Sequence, residues 1–156
     1  MRWDSCRVVM ACVLCLAGSG CATVNSVSRE PLTDGLTWPY PVPLEYVIQA
    51  TRTAMTRGEV TIERDAPLDT RTWMIVGTQG ASLFSWGEIV RVVIVGYPWT
   101  TVTAYCEPRL ATNVTAMDTD DFAAKLFPAI ALELAQMRAP DLRYMPPPSS
   151  HRAGQR

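Results

Sequence analysis

The sequence predicts an α+β fold: a single antiparallel four-stranded sheet flanked by two helices (α-β-β-β-β-α), with both helices on one face. Three observations predict it. Apolar residues recur at helical spacing over 43–57 and again over 119–137. Between these stretches lie four runs rich in Val, Ile and Thr, bounded by Gly, Pro and Asp. The chain has no internal repeat, and its 156 residues suffice for one domain.

The first helix opens at Pro43, whose missing N–H is no loss at a first helical position. Leu44, Val47, Ile48, Thr51, Ala54 and Met55 form one apolar stripe, and Glu45, Gln49, Arg52 and Arg57 face away. Gly58 closes it as a C′ residue. Glu59–Asp65 then alternates Val60 and Ile62 with Thr61 and Glu63. Ala66–Pro67–Leu68–Asp69 makes a turn. Arg71–Thr78 returns with Trp73 and Ile75 on one face, Met74 and Val76 on the other. The glycine-bounded loop Gln79–Gly87 carries Leu83, Phe84 and Trp86.

Glu88–Tyr97 is apolar on both faces, interrupted only by Arg91, which predicts a central strand covered on both sides. Gly96–Tyr97–Pro98–Trp99 turns it into Trp99–Glu107, where Thr100, Thr101 and Thr103 favour a strand. Asp118 or Thr119 caps the second helix, and Asp120 and Asp121 complement its N-terminal dipole. Phe122, Leu126, Ile130, Leu134 and Met137 give it an apolar face. Pro128 predicts a kink or a restart, because an internal proline costs about 3 kcal/mol.

The globular domain therefore covers 43–137. Residues 21–42, rich in Ser, Thr and Asn and then in Pro, read as a tether without helical or alternating pattern. Residues 138–156, rich in Pro, Arg and Ser, read as a disordered tail. Trp38 and Tyr40, on either side of Pro39, join Leu83, Phe84 and Trp86 as a candidate interaction surface.

Residues 1–20 have the layout of a bacterial export signal: Arg2 and Arg7, an apolar run from Val8 to Ala17, then Gly18, Ser19 and Gly20. The apolar run is about half the roughly 20 residues that span a bilayer. Gly20–Cys21–Ala22–Thr23 resembles the start of many bacterial lipoproteins. The resemblance implies cleavage between Gly20 and Cys21 and a lipid of the palmitate class on Cys21. Each buried methylene contributes roughly 0.8 kcal/mol, so two or three acyl chains hold a protein stably on a membrane. Ala22, where an aspartate would retain the protein at the inner membrane, implies the outer membrane, periplasmic face.

Five cysteines then resolve without a disulfide. Cys6, Cys12 and Cys15 lie in the removable segment, Cys21 is the lipid site, and Cys106 is left as a packed core thiol. A net charge of −1 without a basic stripe gives no nucleic-acid footprint. The only histidine, His151, lies in the tail, which excludes a Ser-His or Cys-His pair and a His/Cys zinc site in the domain. Asp118, Asp120 and Asp121 are explained by capping, and Glu63, Asp65 and Asp69 by a polar turn. The expectation is a protein without catalytic residues, cofactor or metal.

The Gly20–Cys21 junction, the leading helix ended by Gly58, the alternating Val/Ile/Thr strands and the closing helix resemble small bacterial lipoprotein domains of the DUF3568-like type. More loosely, they resemble helix-grip domains of lipoproteins in outer-membrane assembly machinery. The family label brings no activity with it. The expected function is a lipid-anchored, non-catalytic envelope protein that binds another envelope component. The alternative is a small-ligand or glycan binder with a cleft lined by Trp73, Trp86 or Trp99.

Overall fold

A computed structural model describes residues 21–80, 87–110 and 116–137 of the chain. It is α+β, with one antiparallel sheet and three helices among the described residues. The long helices are α2 (Leu44–Arg57) and α3 (Thr119–Gln136), and a single turn, α1 (Val24–Val27), precedes them. The strands are β1 (Leu36–Tyr40), β2 (Val60–Pro67), β3 (Thr72–Gln79), β4 (Glu88–Gly96) and β5 (Thr100–Pro108), paired in the order β1-β5-β4-β3-β2.

Consecutive hairpins build β2 to β5, and β4 stands in the middle of the five. The period-2 rule sorts its side chains. Val90, Val92 and Ile94 join Ile75, Val102, Ala104 and Cys106 in the main core under α2 and α3, while Ile89 and Val93 join Met74 and Val76 on the opposite face. Both long helices lie on one face, as the apolar stripes require. Val47, Ile48, Thr51, Ala54 and Met55 are buried along α2, and the Thr51 hydroxyl donates to the Val47 carbonyl at 2.7 Å. That bond satisfies the one polar atom in the stripe.

The expected count of four strands and two helices falls short, and so does the reading of 21–42 as a tether. Residues 36–40 form the edge strand β1, in register with β5 from Leu36↔Ala104 to Tyr40↔Thr100. Upstream, Thr23 caps α1 through a capping box with Ser26, and Val27 is fully buried against the second face of the sheet. The Ala22 N–H donates to the Arg109 carbonyl at 3.1 Å. Gly35 makes the entry into β1 possible. Its φ is +122°, and a Cβ there would stand 2.2 Å from the Ala104 carbonyl oxygen.

Arg91 holds this segment down. Its side chain is fully buried on the second face of β4. Nη1 donates to the carbonyls of Val27 and Glu30 at 3.0 and 2.7 Å, and Nη2 to those of Pro31 and Asp34 at 2.9 and 3.1 Å. Tyr105 presents its ring 5.1 Å beneath the guanidinium. Burial lowers the Arg91 pKa, and the charges of Asp34 and Glu30 oppose that shift.

Smaller differences concern helix ends and strand edges. Pro43 is the N-cap of α2 rather than its first residue, and Glu59, not Gly58, takes the left-handed backbone after it (φ 61°). Asp118 caps α3 by accepting from the Asp121 N–H at 2.8 Å. The helix runs through Pro128 without a break. Pro39 lies within β1, Pro67 ends β2, and β2 carries an irregularity between Ile62 and Arg64.

Candidate functional site

Cys21 is exposed, one residue before the hydrogen-bonded Ala22. Gly20, Leu83, Phe84 and Trp86 lie outside the described residues. The two aromatics flanking Pro39 part company. Tyr40 is not a surface residue: it is 5% exposed, and its hydroxyl donates to the Phe127 carbonyl at 2.9 Å. Burial raises its pKa well above the ordinary phenol value. Tyr40 ties β1 to α3. Trp38, two residues earlier, is 56% exposed and stacks on Phe127, with ring centroids 6.2 Å apart and planes at 29°.

Trp38 opens onto a groove of about 310 Å³ lined with Ala123, Ala124, Phe127, Pro128 and Ala131 of α3. Its origin is readable in the composition of the helix. After Lys125 the sequence LFPAIALELAQ holds one charge, Glu133, and that carboxylate is turned inward to pair with Arg57. An amphipathic surface helix would place charges on its outer side. Here Ala124, Pro128, Ala131 and Leu132 occupy it instead, with Leu132 57% exposed. Leu36 of β1 is also exposed. Proline adds a polar detail, since Pro128 has no N–H to return to the Ala124 carbonyl. The face is apolar and has a backbone acceptor within it.

Two other cavities bear on the ligand reading. At the β4–β5 turn a hollow of about 300 Å³ is lined by Pro41, Val42, Leu44, Tyr97, Pro98 and Trp99. Tyr97 and Trp99 are largely exposed, Arg71 lies 4.9 Å over the Tyr97 ring, and Tyr97 carries a φ of 123° before a cis Pro98. Trp73 does not line this hollow. Its Nε1 donates to Asp65 at 2.5 Å, and Arg52 stands 5.3 Å over its ring. The second cavity, about 250 Å³ between α2, α3 and the end of the sheet, is lined by Met55, Val60, Met117, Phe122 and Leu126. No tryptophan lines it; of the three tryptophans expected to line a cleft, Trp99 borders the first hollow, Trp73 is engaged by Asp65 and Arg52, and Trp86 lies outside the described residues.

Three titratable groups of the domain have structural partners. Cys106 is buried, its Sγ lies 3.4 Å from the Met117 carbonyl, and burial pushes its pKa up to about 12. A thiol so held supplies no thiolate at neutral pH. Asp65 takes a two-point contact from Arg52 at 2.6 and 3.0 Å. Burial alone would raise the Asp65 carboxyl, but these bonds and the Trp73 N–H outweigh it and hold the group below its ordinary value. Asp69 accepts from the N–H groups of Arg71 and Thr72, closing the β2–β3 turn. Among the described residues no three His, Cys, Asp or Glu side chains converge.

No family model matches the chain, and no curated protein matches it.

Sequence reasoning passed over the α3 side of the groove. The signal was present as residues left unassigned, since Phe127, Leu132 and the alanines lie outside the single apolar stripe that the helical period selects.

Proposed function

We propose that this chain is a bacterial envelope lipoprotein, anchored through lipid on Cys21 to the periplasmic face of the outer membrane, and that it binds another envelope protein without catalysis. The apolar face shared by Trp38, Phe127, Pro128 and Leu132 carries this reading. Solvent-exposed faces of this kind, rimmed by polar residues, mark protein interaction sites. Trp38 has the features of a binding anchor, being large, rigid and seated beside a groove.

The test is site-specific photocrosslinking in cells, with the reactive group placed at Leu132 and, as control, at Arg64 on the opposite edge strand. A discrete crosslinked band from Leu132 alone, lost in Trp38→Ala, supports the reading. Equal, diffuse crosslinking from both positions overturns it. Mass spectrometry of the mature N-terminus tests the anchor: a diacylated Cys21 is expected.

The aromatic hollow supports a second reading, as a glycan or small-ligand site. Exposed Tyr97 and Trp99 beside a 300 Å³ hollow favour it, as does the unusual Tyr97 backbone. Fluorescence titration with cell-wall fragments should then give a saturable change that Trp99→Phe abolishes.

A further inference from the structure

The stretch that follows Cys21 is part of the domain, and this fixes how a lipid there would present the protein. We infer that the end of the sheet bearing Gly80, Gly87 and Arg109 is a bilayer-contacting surface, held against the headgroups by an anchor with no free tether. The inference rests on lipidation of Cys21 as proposed above.

The link from Cys21 to the sheet runs through backbone bonds. Ala22, the residue after the lipid site, donates to the Arg109 carbonyl at 3.1 Å, and the Arg109 N–H donates to the Gly87 carbonyl at 3.1 Å. Gln79, Glu88 and Pro108 lie at that same end, because Gln79 pairs with Glu88 and Glu88 with Pro108. A flexible linker of 20 residues would let the domain wander tens of ångströms, at about 5–6 Å times the square root of its length. None is available here. Val27 is buried, and four carbonyls between Val27 and Asp34 are held by one guanidinium. Cys21 and Ala22 are joined by a single Cα–Cα step of about 3.8 Å.

The opposite end of the sheet, with the β2–β3 turn at Leu68–Arg71 and the Tyr97–Trp99 hollow, then stands off by the length of the strands. For the eight residues of β3 that is about 26 Å, at about 3.3 Å per residue. At the near end Arg57 is paired with Glu133, and Lys125 and Arg109 stand among Glu59, Glu88, Glu107 and Asp118, so this end carries no basic patch. The covalent lipid, not surface charge, therefore sets the docking, and added salt leaves it unchanged.

Single-cysteine labelling tests this in the full chain. Once Cys21 is acylated, Cys106 is the one remaining thiol of the mature protein and it is buried, so an introduced cysteine takes the label. Gly80→Cys places it at the near end, where a side chain meets open space, and Thr70→Cys places it at the far turn. The acylated proteins are reconstituted into phosphatidylethanolamine/phosphatidylglycerol vesicles that carry headgroup nitroxide lipid. The Gly80→Cys label should be quenched several-fold more strongly than the Thr70→Cys label, at low and high salt alike. A long Gly-Ser insert between Cys21 and Ala22, which leaves the fold untouched, should remove the difference. Equal quenching of the two labels on a chain proven to be diacylated overturns the docking alone. An unmodified N-terminus overturns the lipid reading and the docking with it.

Discussion

The two faces of the sheet are covered by different physics. Under α2 and α3, Val92, Ile94, Val102 and Ile130 pack into a continuous apolar core, stabilised by roughly 25 cal/mol for each Å² removed from water. That attraction has no direction, and it tolerates swaps that conserve volume. On the other face a short segment with one buried turn is fixed by directed bonds from Arg91 to four carbonyls. A buried cation is costly unless hydrogen bonds offset its desolvation. Here the four N–H groups of its two terminal nitrogens are matched to acceptors, while Nε–H has none. The first face can drift in sequence and keep its cover. The second adds one directed clamp to a smaller apolar cluster of Val27, Met74, Val76, Ile89 and Val93.

The contrast is open to direct attack, and the largest effect is expected at Arg91. Arg91→Leu leaves four carbonyls without their donor and should cost several kcal/mol, at about 1–3 kcal/mol for each one that stays buried and unsatisfied. Limited proteolysis should then cut within 22–34 before any site in α2 or α3. Arg91→Lys should restore little, since an ammonium has three donors for four carbonyls. If 22–34 stays as protected as the helices, the clamp is not what holds it. On the apolar face, Ile94→Ala should cost about 2–5 kcal/mol in urea unfolding but leave the order of cleavage unchanged.

Gly35→Ala comes next. A methyl group 2.2 Å from the Ala104 carbonyl, on a backbone at φ +122°, should cost about 1–3 kcal/mol and loosen β1 first, which amide exchange would show at Leu36–Trp38. Tyr40→Phe removes one hydrogen bond between β1 and α3 and should cost about 0.5–1.5 kcal/mol.

The smallest effect belongs to pH. The Asp65 carboxyl is held below its ordinary value by Arg52 and Trp73. Its contribution is therefore fully present above an unfolded pKa of about 3.9 and is lost as pH falls through the lower folded value. Asp65→Asn should flatten that acid limb of the stability curve without changing the plateau by more than a surface pair allows, about 0–1 kcal/mol.

How much of this was legible in the chain differs by face in the same way. The helical stripe of α2, the alternation in β2 and β3, and the two-sided apolar character of β4 all follow from periodicity, because apolar burial repeats with the backbone. The second cover has no period to detect. α1 is a single turn, and β1 is five residues with a proline inside, so neither fills a window. Trp38 and Tyr40 alternate correctly around Pro39, but two residues do not make a pattern. Arg91 was visible as the one charge within the apolar run 89–95. What it bonds was not, since backbone carbonyls leave no mark on side-chain sequence. Pro128 was expected to kink or restart α3, which does not restart there. It sits on the exposed side, where an unreturned carbonyl is hydrated rather than buried, so the helix continues.

The outer strands carry one more consequence. Molecules confined to a membrane surface meet one another far more often than the same number in solution, and an open strand edge is a template for pairing with a neighbour. Pro39 on one side, and Pro67 with the irregularity at Ile62/Arg64 on the other, withdraw N–H groups and bend the margins of the sheet. If the chain is anchored to a membrane as proposed, these margins oppose edge-to-edge stacking of neighbouring copies. The prolines and the irregularity disfavour a partner that would extend the sheet.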